Sequence, residues 1–191
     1  LPIPKVTLPN IWTANPEDSF YTISAQGAST LEAFSHFETK TPGHVDTLKT
    51  NILLFGERVV EKGITPYLDT IARMPKFPVK SNLMIVRGDP GRLLKQEVAA
   101  AILPSFYLMY FFETPQKSGM VYPMKLWRFY YKLDSPAIDP YLPVLDYHPE
   151  EKVFLPAGLA ALSGDTLAAY LSPEESKIFG LLSEEDEEGV L

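Results

Sequence analysis

The chain has 191 residues, of which 46% are hydrophobic and 21% charged, the amount of sequence that makes one globular domain and not a disordered chain. Its net charge is −7, but Glu184, Glu185, Asp186, Glu187 and Glu188 supply five of those charges. The remainder is nearly balanced and has no Lys/Arg cluster, which argues against a nucleic-acid partner. Cysteine is absent, which excludes disulfides, thiolate nucleophiles and cysteine metal sites, and leans toward an intracellular or organellar setting without fixing one.

The chain begins at Leu1 and not at methionine, as a processed or excised piece would. Pro2, Pro4, Pro9 and Pro16 forbid a helix, so residues 1–16 read as an extended arm that needs a surface to lie on, either its own domain or a neighbouring subunit. Residues 17–183 read as a single globular domain and 184–191 as an acidic tail. Ser19 to Gln26 has the β-branched and aromatic content of a strand. Ser29 to Phe37 predicts a short helix.

Thr41-Pro42 has the form of a helix start, and Val45, Leu48, Ile52, Phe55 and Val59 follow at helical spacing, which predicts an amphipathic helix ending at Gly63. Thr65-Pro66 predicts a second, shorter helix with Leu68 inward. Leu83 to Val86 suits a buried strand. Asp89-Pro90 pairs a capping residue with proline ahead of a helix over Leu93 to Leu103. The apolar run from Val98 to Phe112 is interrupted at Pro104-Ser105 and too short to span a bilayer, so no transmembrane segment is predicted.

Phe106 to Phe112 and Lys125 to Leu133 predict two strands of an antiparallel hairpin. Ten of the 23 aromatic residues fall between Phe106 and Tyr131, and Trp127, Phe129, Tyr131 and Leu133 alternate with Arg128, Tyr130 and Lys132. Ser135 to Pro149, with four prolines, reads as a long irregular connection. The alanine- and leucine-rich stretches Pro156 to Leu162 and Thr166 to Leu171 read as short helices. Ser172-Pro173-Glu174-Glu175 is a capping box opening a last helix. The predicted fold is α+β, a small antiparallel sheet with the aromatic hairpin at its centre and helices on at least one face. A mixed sheet with Leu83 to Val86 as a parallel member is the alternative.

Catalytic motifs are missing. Ser163 lacks the first glycine of a nucleophile elbow, and Arg87-Gly88-Asp89-Pro90-Gly91-Arg92 has neither phosphate-loop nor dinucleotide spacing. His36, His44 and Asp46 have metal-ligand chemistry without a standard ligand spacing. Asp146 beside His148 is the candidate acid–base pair. Tyr107, Tyr110, Trp127, Phe129 and Tyr131 are the candidate ligand- or partner-binding aromatics, because tyrosine and tryptophan combine area with a polar handle. The sequence leaves any cofactor undetermined. The leading expectation is a non-catalytic subunit or protein-interaction protein, its partner a second copy or another subunit. A carrier or enzyme with an aromatic pocket for an apolar small molecule, and a histidine/carboxylate-dependent enzyme, are the alternatives.

Overall fold

The structure is a computed structural model and describes residues 2–4, 20–41, 45–74, 77–96, 107–109, 112 and 122–182. In chain order the elements are β1 (Pro2–Pro4), β2 (Phe20–Thr22), α1 (Thr30–Thr39), a 3-10 turn (Thr47–Lys49), β3 (Ile52–Gly56), α2 (Glu57–Val60), α3 (Thr65–Ala72) and β4 (Asn82–Val86). They continue with α4 (Pro90–Leu93), β5 (Met124–Lys125), α5 (Leu126–Leu133), β6 (Tyr141–His148), β7 (Val153–Ser163), β8 (Thr166–Leu171) and α6 (Pro173–Leu182).

The run Leu83-Met84-Ile85-Val86 is apolar at both parities, so a strand made from it must be covered on both faces. β4 is that strand, and all four side chains are buried. It pairs in parallel with β3 on one side and with β6 on the other, where β5 adds a short antiparallel pairing at the start of β4. β7 and β8 continue the sheet antiparallel, in the order β3-β4-β6-β7-β8. Leu83 and Ile85 join a core with Val60, Ile64 and Leu68 of the α2–α3 region and Leu126 and Phe129 of α5. Met84 and Val86 join a second core with Leu93 of α4, Leu108 and Phe154. The sheet is therefore mixed, with β3, β4 and β6 parallel as the alternative reading had it and the other pairings antiparallel as the leading one had it. Helices cover both faces.

The hairpin is corrected outright. Leu126–Leu133 is a helix, and the residues described within the other predicted strand, 107–109 and 112, are helical as well. Strand alternation and helical spacing coexist in this segment, because Leu126, Phe129, Tyr130 and Leu133 also stand at i, i+3, i+4 and i+7. The helix wins by burying that second stripe.

Three further expectations fail for related reasons. The amphipathic helix from Val45 is replaced by a 3-10 turn and β3, since Ile-Leu-Leu-Phe is a continuous apolar run that a parallel strand can bury on two faces. The proline-rich connection contains β6, with Pro143 sitting where the register to β7 shifts, at a bulge that tolerates its missing N–H. Pro156 to Leu162 and Thr166 to Leu171 are strands β7 and β8. Helix propensity in alanine and leucine yields there to pairing and burial. Gly158 is required in β7, since at φ +95 its added Cβ would run into the Leu171 carbonyl of β8.

Other elements match the sequence. α1, α3 and β4 lie where expected. The Asp89 side chain accepts from the Gly91 N–H at 2.8 Å and starts α4. The capping box opens α6, with the Ser172 N–H donating to Glu175 Oε2 at 2.7 Å and the Glu175 N–H to Ser172 Oγ at 3.2 Å. β1 pairs with β2, so the described start of the arm lies against this chain's own Phe20–Thr22. Most of the Leu93–Leu103 helix, residues 97–103, lies outside the described residues.

Candidate functional site

α5 is held to the body along one side. Its first amides donate to the loop before β4, Leu126 N–H to the Ser81 carbonyl at 2.9 Å and Trp127 N–H to the Val79 carbonyl at 3.0 Å. Leu126 and Phe129 are buried in the core, and the buried Lys132 ammonium lies 5.6 Å from the Tyr141 ring centre, a cation–π contact. The Tyr130 hydroxyl is buried with no hydrogen-bond partner among the described residues, and burial, followed by the Asp69 charge and partly offset by Arg73, pushes its pKa up to about 12.

The opposite side of α5 faces solvent. Trp127 is 49% exposed and Tyr131 66%, four residues apart and therefore neighbours on one face. Val79, tied to the Trp127 amide, is exposed beside them. The five candidate aromatics are thus divided. Phe129 belongs to the first core, Tyr107 packs edge-on against Phe154 in the second, and Trp127 and Tyr131 point outward. Burial raises the Tyr107 pKa. Tyr110 lies outside the described residues.

The polar candidates are engaged locally. Asp146 accepts from the Tyr147 N–H at 2.8 Å, and His148 Nδ1 accepts from the Glu151 N–H at 3.4 Å across the turn into β7. Both stand at the solvent end of β6, two residues apart. His36 Nδ1 is 2.7 Å from the Gln26 carbonyl and joins α1 to the extended segment before it. Asp46 caps the 3-10 turn through the Leu48 N–H at 3.0 Å. His44 lies outside the described residues, and among those described no group of three or more His, Asp or Glu is placed to hold a metal.

Two relationships had no signal in the sequence. The Tyr170 hydroxyl of β8 donates to Glu57 Oε1 at 3.2 Å, 113 residues away, while the Arg87 guanidinium sits 5.4 Å from the Tyr170 ring centre. Burial, then the Glu57 charge and hydrogen bond, push the Tyr170 pKa up to about 12. The second is a cleft walled by residues 22–26, α1 and α4, lined by Lys40, Arg92 and Lys95. No local spacing brings such partners together.

Comparison with known proteins shows the family and the fold. The family model described as the spore germination protein N-terminal domain matches residues 5–147. The chain is 24% identical over 166 residues to the spore germination protein GerQC of Bacillus cereus, a match covering 87% of this chain and 46% of that protein. It is 24% identical over 130 residues to YfkR of Bacillus subtilis (strain 168), also named for spore germination, covering 66% of this chain and 32% of that protein. The crystal structure of the GerBC protein shares the fold with a TM-score of 0.51 at 15% identity, over 74% of this chain and 39% of that chain. The matched region covers less than half the length of each of these relatives. Among the described residues no helix is long and apolar enough to cross a membrane.

Proposed function

Because the chain belongs to the spore germination protein N-terminal domain family, we propose that it serves spore germination as a non-catalytic subunit that works by binding another protein, with the outward face of α5 as the contact surface. The observation that carries this reading is the pair Trp127 and Tyr131, presented one turn apart on a helix whose other side is anchored in the core. Single exposed apolar residues are ordinary. An adjacent tryptophan and tyrosine are the residue types that dominate binding energy at protein interfaces. Mounting them on a packed helix lowers the entropy lost when a partner docks. The relatives' names, all from spore germination, support the biological setting.

Among the described residues of α5 the aromatic-pocket reading finds no support, since Phe129 points inward and Trp127 and Tyr131 outward. The test is genetic. In a spore-forming host, the native gene is replaced by one encoding Trp127→Ser and Tyr131→Ser in the full-length protein. The proposal expects normal protein levels in dormant spores with slowed or lost germination. Unchanged germination at normal protein level would sink it.

A further inference from the structure

The cleft beside α1 has a charge opposite to that of the chain. It is an open space of about 890 Å³ lined by Thr22 to Gln26, by His36, Thr39 and Lys40 of α1 and the residue after it, and by Asp89, Gly91, Arg92, Leu94 and Lys95 in and around α4. Three of the lining side chains are cations and one, Asp89, is an acid, in a chain whose net charge is −7. Asp89 is already engaged. One oxygen accepts from the Gly91 N–H, and the other lies 3.7 Å from Arg92 Nε.

The walls are fixed by hydrogen bonds that leave donors to spare. Lys40 Nζ donates to the Ser24 carbonyl at 2.7 Å and His36 is bound to the Gln26 carbonyl, so the extended segment is held against α1. An ammonium carries three donors and a guanidinium five, so Lys40 and Arg92 each keep N–H groups for a ligand. Lys40 stands on one wall, and Arg92 and Lys95 stand on the other, three residues apart. Ile23, Ala25 and Leu94 also line the cleft and supply apolar surface.

We infer that this cleft is a binding site for an extended acidic peptide segment of a partner protein, with Lys40, Arg92 and Lys95 taking its carboxylates. Magnitude decides between a peptide and a small anion. An exposed ion pair contributes little on its own, so a ligand with one carboxylate gains little here. A chain carrying several carboxylates engages both walls together and adds contact with Ile23 and Leu94. This site uses no residue of α5, and either reading can fail alone.

The experiment is fluorescence anisotropy with a labelled synthetic peptide of alternating glutamate and leucine. The protein is the full chain with Glu184, Glu185, Glu187 and Glu188 changed to Gln and Asp186 to Asn, which keeps the chain's own carboxylates out of the assay. Saturable binding that weakens with salt is expected, with affinity reduced roughly tenfold by Arg92→Glu together with Lys95→Glu. Lys95→Gln, a milder change at an exposed side chain, gives a smaller loss in the same direction and serves if the double variant does not fold. Equal binding of the glutamine counterpart of the peptide, or unchanged affinity in the folded variants, would overturn the proposal. Citrate binding as tightly as the peptide would overturn the peptide assignment.

Discussion

Asp165, in the turn between β7 and β8, accepts a hydrogen bond from the amide of Thr65 at 3.2 Å, although the two are one hundred residues apart. The Asp165 carbonyl also accepts from the Ile64 N–H at 3.1 Å. α3 therefore starts on a carboxylate supplied by another element, which satisfies an orphan amide and suits the positive end of the helix. Together with the Tyr170–Glu57 contact this ties β8 and its turn, at the far end of the sheet order, to the helices that follow β3. Asp165→Ala should cost about 1 kcal/mol, as loss of a helix cap does, and Asp165→Asn less. Denaturant midpoints check both, with an unchanged slope confirming that only stability moved.

Gly63 is the other half of that junction. It is buried with φ +98, and an added Cβ would come within 2.9 Å of Asp165 Oδ2. Gly63→Ala should cost more than about 1 kcal/mol, because strain at positive φ adds to the clash. Only the clash is relieved when Asp165 is shortened to alanine. The double variant should therefore be less unstable than the sum of the two, a coupling that a double-mutant cycle reads directly.

Tyr130 and Tyr170 should respond differently to loss of their hydroxyls. Tyr130→Phe removes a buried group with no partner among the described residues and should be neutral or stabilising, while Tyr170→Phe loses a hydrogen bond to a carboxylate and should cost about 1 kcal/mol. Both phenols titrate near 12 in the folded protein against an ordinary value near 10. A raised folded pKa gives stability that is whole below the unfolded value and is lost as pH rises through the folded one. Stability should fall between about pH 10 and pH 12, less steeply in either phenylalanine variant. Melting followed by circular dichroism across that range checks the sign.

The two sides of α5 should separate fold from function. Phe129→Ala opens a cavity in the first core and should cost about 3–5 kcal/mol. Trp127→Ala and Tyr131→Ala act on half-exposed or exposed rings and should each change stability by about 1 kcal/mol or less. A large loss of stability in the outward variants would make that face structural.

The parts that were legible are those that local chemistry decides. The caps at Asp89 and Ser172, the Thr65-Pro66 start and the apolar β4 run each carry their signal within a few residues. The failures occur where two periodicities fit one segment or where a partner strand is distant. Trp127 to Leu133 satisfies both a strand and a helix, and only the core contacts of Phe129 and Leu126 select between them. Leu159, Ala160 and Leu162 read as helical until β6 and β8 flank them on both sides. The aromatic surplus marks the segment that carries the proposed surface, yet its placement on a hairpin set Phe129 on one face with Trp127 and Tyr131, which the helix separates. The cationic cleft joins residues 22–26, α1 and α4, and no spacing within one segment encodes it.

The most direct measurement on the proposed α5 surface is site-specific photo-crosslinking in dormant spores. A photoreactive residue is placed at Trp127, at Tyr131 or at the exposed Glu174 of α6 in the full-length protein. The account predicts a covalent adduct with another protein from positions 127 and 131, and little or none from 174. Adducts of equal yield from all three positions, or none from 127 and 131, would contradict it.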